Sequence, residues 1–176
     1  LTDHAEVFTE LKEYYKQTSE SETTKISFYE DTYSLYNLYR FSHYYEEAYG
    51  KYIWLKSGAS LVIEHTEAMT VIDVNTGSVL KKKKQEDTLF YQINREAAKE
   101  IARQLRLRNI SGIIMIDFIN MKDTAQKEKL LSLLDSECKK DRVHCNVIDM
   151  TALNLVEMTR SKVRKPLHEQ IRSCMK

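Results

Sequence analysis

The chain has 176 residues, 30% of them charged and 42% hydrophobic, with a formal net charge of +1. That length supplies one domain core, or one core and part of a second. The near-neutral balance excludes a chain whose overall charge recruits a polyanion, so any nucleic-acid contact must come from local clustering.

Leu1, Ala5, Phe8, Leu11 and Tyr15 fall near helical spacing and predict a helix over residues 1–17. QTSESETT then reads as a solvated loop. Residues 25–50 hold most of the eleven tyrosines. Those rings serve either to stack on single-stranded RNA or, more simply, as core or interface filler beside a missing domain. KYIWLKSG, ASLVIEHT and AMTVIDV are short β-rich runs that predict a meander of hairpins. KKKKQED is a charged loop. Residues 88–108 predict a helix whose apolar stripe is Phe90, Ile93, Ala97, Ile101 and Leu105. SGIIMIDFIN is a continuous apolar run and predicts a strand buried on both faces. Residues 123–139 predict a helix with Leu130, Leu131, Leu133 and Leu134 inside, and RVHCNVIDM a further strand. Residues 153–172 predict a basic amphipathic helix, kinked or ended at Pro166. The order after residue 68 gives an α/β fold, a mixed sheet with packed helices.

No apolar run approaches the roughly 20 residues of a membrane span. The polar opening LTDHAEVFTELKEYYK is not a signal peptide. Leu1 stands where an initiator Met would, so the chain reads as a piece of something longer. Cys138, Cys145 and Cys174 lack C-x-x-C spacing and read as reduced thiols in a cytoplasmic protein.

In TVIDVNTG, residues 70–77, an apolar run ends in Asp73, Asn75 and Gly77. Asp117 holds the matching place in IIMID. A carboxylate at the end of an apolar strand is costly unless paired or bound to a cation. If the two strands are parallel neighbours joined by the 88–108 helix, both acids emerge at one strand-end edge, where open α/β sheets hold ligands. With Asn75 either adding a carbonyl oxygen or orienting one of the carboxylates, the donors are all hard oxygens, which suit Mg²⁺ or Mn²⁺. The plainer reading keeps Asp and Asn as turn and cap residues. Lys81, Lys82, Lys83 and Lys84 follow directly and offer phosphate contacts. Arg95, Lys99, Arg103 and Arg106 form a stripe on the helix, but Glu96 and Glu100 beside it favour a solvated face. His65 sits in an expected turn and takes no catalytic role.

GASLVIEHTEAMTVIDVNTG, INREAAKEIARQLRLRNISGIIMIDFINM and LNLVEMTRSKVRKPL together resemble the ribonuclease E/G family of bacterial endoribonucleases. The similarity runs from about residue 50 to 167. The segment SLYNLYRFSHYYEEAY also resembles the stretch that precedes those motifs in the family. The resemblance implies that residues 51–172 are its deoxyribonuclease I-like catalytic subdomain and residues 1–50 the tail of its ribonuclease H-like subdomain. It implies that Asp73 and Asp117 are Mg²⁺ ligands and that Asn75 helps place metal or substrate. The implied activity is cleavage of single-stranded RNA, at A/U-rich sites, to 5′-phosphate and 3′-hydroxyl ends, in RNA processing and decay.

The sequence also departs from the family pattern. IDFINM replaces the usual IDFIDM, so Asn120 stands for an acid. The family's upstream OB-fold RNA-binding domain and 5′-end pocket are not in these residues. Family members join subunits through zinc at a C-P-x-C motif, which implies a homo-oligomeric parent. Here Cys174 is either the first half of that motif or an unrelated thiol. The first functional expectation is a metal-dependent endoribonuclease domain. The alternative is an inactive RNA-docking or assembly module that keeps the nuclease fold.

Overall fold

A computed structural model describes residues 1–17, 25–77 and 86–174. The chain divides into two compact units, Leu1–Glu47 and Ala48–Lys176. The first contains α1 (Ala5–Gln17), α2 (Leu35–Leu38) and most of α3 (Phe41–Tyr49). Thr2 pairs with Phe28 in an isolated parallel bridge, and Phe8 packs on Phe28 at 5.3 Å between ring centroids. Ser34 caps α2 by accepting from the Asn37 N–H. Tyr33, Tyr36, Tyr39, Phe41, Tyr44 and Tyr45 are all about half exposed or more. The tyrosine-rich stretch therefore does not fill a core of this unit.

The second unit holds β1 (Tyr52–Trp54), β2 (Ser60–His65), β3 (Met69–Asn75), α4 (Glu86–Leu107), β4 (Gly112–Asp117), α5 (Thr124–Cys138), β5 (Cys145–Met150), β6 (Leu155–Arg160) and α6 (Leu167–Cys174). The strands form one mixed sheet in the order β1-β2-β3-β4-β6-β5. Only the β3–β4 pair is parallel, and α4 is its crossover. The three runs from 51 to 75 form the expected antiparallel meander.

One face of the sheet is buried. Leu61, Ile72, Ile114, Ile116, Val156 and Met158 have no exposed surface and pack against Ile93, Ala97 and Ile101 of α4 and Leu130 and Leu134 of α5. Replacing one such Ile or Leu with Ala costs about 2–5 kcal/mol. The opposite face carries the alternate residues, among them Val62, Val71, Asp73, Met115, Asp117 and Glu157, which stay half-buried or exposed.

Two expectations are corrected. IIMID is buried on one face only: Ile114 and Ile116 are inside, while Ile113 is 49% exposed. The continuous apolar run concealed an ordinary period-two strand, because its outward positions are also apolar. Residues 153–172 are not one helix. Leu155–Arg160 is β6, inserted between β4 and β5, with Val156, Met158 and Arg160 buried and Leu155, Glu157 and Thr159 outward. That alternation fits a strand, and only the eight residues of α6, just past Pro166, are helical.

Candidate functional site

Asp73 is the third residue from the end of β3, between buried Ile72 and Val74, and Asp117 is the last residue of β4. The parallel register makes them direct Cα partners. Ile72 and Ile116, one step back, are partners on the buried face, so both acids project from the opposite face. The crossover α4 thus brings together two residues 44 positions apart in sequence.

Asn75 lies two residues beyond Asp73 on the same face, and its Nδ2 donates to Asp73 Oδ2 at 2.6 Å. This fixes one carboxylate oxygen by a charge-assisted bond. Asp117's carboxyl is raised above the usual range, first by partial burial and then by the charge of Asp73. A cation between the two would remove that second cause.

These groups line a cavity of about 270 Å³ with Thr76, Phe118, Ile119, Asn120, Leu153 and Asn154. Asn120, expected from the sequence as a replaced acid, faces this same cavity. Its loop is held by α4. Asn94, fully buried, donates from Nδ2 to the Ile119 carbonyl at 2.7 Å and accepts the Ile119 N–H at Oδ1, 3.0 Å. Sequence reasoning missed Asn94. Its signal was a polar residue on the apolar side of the helix, beside Ile93 and between Phe90 and Ala97. Lys127 was also missed: its Nζ donates to Asn154 Oδ1 at 2.5 Å, placing a cation behind the cavity rim.

Gly77 closes the motif for a steric reason. It has φ of +55°, and a Cβ there would meet the Gly58 carbonyl oxygen at 2.7 Å. The end of β3 is thereby held close to the β1–β2 turn. That turn is held in its own right by Glu96, whose carboxylate accepts the N–H groups of Lys56 and Ser57 at 2.8 and 3.3 Å.

Lys81, Lys82, Lys83 and Lys84 lie outside the described residues, as does the side chain of Cys174. Cys138 is buried, which pushes its thiol up to about 12, and Cys145 is half-buried. Neither thiol is suited to ligation as a thiolate. On α4, Arg103 pairs with Glu100 and Arg95 lies over the Tyr91 ring, as suits a solvated face. His65 closes β2 rather than sitting in a turn, and its ring stacks on His168 at 3.9 Å. A larger cavity of about 750 Å³ lies at that end of the sheet, lined by Lys51, His65, Glu67, Arg108 and His168. Its cations are already engaged: Lys51 pairs with Glu64, and Arg108 donates to Gln104 and to the Gly50 carbonyl. Of these two cavities, the smaller one gathers two carboxylates on adjacent strands.

Among the described residues, no three His, Cys, Asp or Glu side chains converge as a metal cluster. Two carboxylates and an amide fit an ion that takes few protein ligands and keeps its waters, as Mg²⁺ does. Among the described residues, no helix is long and apolar enough to cross a membrane.

The sequence matches the family described as Ribonuclease E/G family over residues 1–163. It is 40% identical over 160 residues to Ribonuclease G of Haemophilus influenzae, covering 91% of this chain and 32% of that protein. Identity to Ribonuclease G of Escherichia coli K12 is 41% over 145 residues, covering 82% of this chain and 29% of the relative. Identity to Ribonuclease E of Nostoc sp. PCC 7120 is 35% over 162 residues, with 90% and 23% covered. The chain thus spans about a third or less of the length of these curated relatives. The matched region contains the strand pair, the two acids and the Asn75 brace, and the chain belongs to the ribonuclease E/G family.

Proposed function

We propose that this chain is the catalytic part of a metal-dependent endoribonuclease that hydrolyses phosphodiester bonds in single-stranded RNA to 5′-phosphate and 3′-hydroxyl ends. The observation that carries the reading is the register of Asp73 on Asp117 across a parallel strand pair, beside a cavity on the uncovered face.

Asp73 and Asp117 would hold a Mg²⁺ ion, with Mn²⁺ serving the same oxygen donors. When bound, that ion neutralises phosphate charge and makes a water available as the nucleophile. The protein's own residues set the conditions. Asn75 keeps Asp73 in one orientation through its 2.6 Å bond. Asn94 fixes the Ile119 backbone, and with it the cavity wall after Asp117. The Lys81–Lys84 loop, directly after β3, would contact the RNA backbone.

The test is RNA cleavage by the protein carrying Asp73→Asn or Asp117→Asn. Each change is expected to lower Mg²⁺-dependent cleavage by more than about 100-fold. Asn75→Ala, which removes an orienting partner, is expected to cost about 10- to 100-fold. Wild-type-like cleavage by either Asp variant would overturn the assigned roles. Binding of RNA that is unaffected by chelator and followed by no cleavage would instead give the docking-module reading.

A further inference from the structure

We infer that Tyr52 and Trp54 form a base-stacking platform for the single-stranded RNA whose scissile phosphate lies at Asp73 and Asp117, an inference that rests on the ribonuclease reading above. β1 is a short edge strand with a clean alternation. Ile53 is 5% exposed and in the core, while Tyr52 is 58% and Trp54 is 74% exposed on the other face. Each such ring presents about 150–250 Å² of surface. Both project from the sheet face that carries the two acids.

The strand register makes the relation specific. Tyr52 pairs with Val62, Val62 with Asp73, and Asp73 with Asp117, so one cross-strand row joins the tyrosine to both carboxylates. Trp54 pairs with Ser60, and Ser60 with Asn75, which forms the adjacent row. Two strand spacings separate each ring from the β3 residue of its row, about 10 Å. That span is within reach of a base neighbouring a phosphate at the acids. Ser60, the short side chain between Trp54 and Asn75, keeps that row low.

Stacking supplies affinity beside the acids that phosphate contacts of the Lys81–Lys84 loop do not. Two carboxylates repel a phosphate backbone, and the chain as a whole is nearly neutral. Aromatic stacking binds any base through its π-face and needs no basic surface. Lys51 lies with its Nζ 5.7 Å from the centroid of the Tyr52 ring, but its charge is paired with Glu64, which leaves the rings as the binding feature of this edge. Continuity with the acids in register, and not exposure alone, selects RNA over a second protein surface as the occupant.

Trp54 is the only tryptophan of the chain, so its emission reports that ring alone. The experiment titrates the 176-residue chain with oligouridylate and oligoadenylate in EDTA. Trp emission is followed directly, and binding is followed in parallel by anisotropy of end-labelled RNA. Emission is expected to be quenched along the binding curve. Trp54→Ala is expected to weaken binding roughly 5-fold or more, and Trp54→Phe to stay near wild type. Absence of RNA binding, binding with unchanged emission, or equal affinity of Trp54→Ala would each overturn the proposal. Emission that changes with protein concentration but not with RNA would overturn it in favour of a second copy on this face. Failure of the catalytic reading shows separately. Asp73→Asn that still cleaves, with Trp54 quenched, removes the carboxylate role and leaves the platform. Silent emission with cleavage lost in that variant does the reverse.

Discussion

Asp73 and Asp117 occupy facing positions on hydrogen-bonded strands, and the charge of Asp73 so placed opposes ionisation of Asp117. Partial burial and the Asp73 charge raise the Asp117 carboxyl above its ordinary 3.8. The folded chain therefore binds that proton more tightly than the unfolded chain does. Ionised Asp117 costs stability above its folded value, and the cost disappears below 3.8. Asp117→Asn is thus expected to melt at the same or a higher temperature than wild type at pH 7 in chelator, with the gap closing as pH falls toward about 4. Thermal melts across that range check it. A variant that is markedly less stable at pH 7 would mean the acid is structural. The two acids could be picked out in the sequence because each follows an apolar run. Asn94 was not singled out: its place on the apolar side of α4 marks a buried polar group, but the loop it binds is known only from the fold.

At the scale of elements, two anchors hold the site's strands. Gly77 sits at positive φ where no Cβ fits against the Gly58 carbonyl. Gly77→Ala must strain the backbone or move the turn, at about 1–3 kcal/mol, and it should shift the end of β3 that carries Asp73 and Asn75. Chemical denaturation and RNA cleavage of the variant read the two effects; losing neither would contradict the account. The second anchor is at the far end of β6. Arg160, with a side chain only 3% exposed, donates to Asp141 Oδ2 at 2.9 Å and to Asn109 Oδ1 and the Ile110 carbonyl at 3.0 Å each. Burial pushes the Asp141 carboxyl up, but the bonds from Arg160 and the Val143 N–H outweigh it, and the group sits below its usual range. Its contribution is full above 3.8 and is lost as pH falls through the lower folded value. Arg160→Ala should therefore cost about 3–5 kcal/mol by leaving Asp141 buried and unpaired. Equilibrium unfolding at pH 7 measures it, and a loss below about 1 kcal/mol would show the pair to be dispensable. β6 was hidden in the sequence because Arg160, Lys162, Arg164 and Lys165 read as the polar side of a helix. Its six residues show the two-residue period only once Arg160 is known to be buried. The long helix α4 was plain, since its apolar stripe persists over five positions.

For the molecule as a whole, the α/β class and the meander followed from local pattern, but the pairing did not. Which strand neighbours which is decided by contacts far apart in sequence, and the placement of β6 between β4 and β5 leaves no local trace. The same holds for the uncovered face. Its apolar members, such as Ile113 and Met115, made β4 look buried on both sides. What unites the two units of this chain with longer relatives is the family match over residues 1–163, while the proposed catalytic site occupies only the ends of β3 and β4. The most direct measurement is Mn²⁺ binding to the chain, followed by electron paramagnetic resonance, for wild type, Asp73→Asn and Asp117→Asn. The account predicts a saturable ion on wild type, competed by Mg²⁺ and lost in both variants. An ion that binds equally to all three proteins would contradict it.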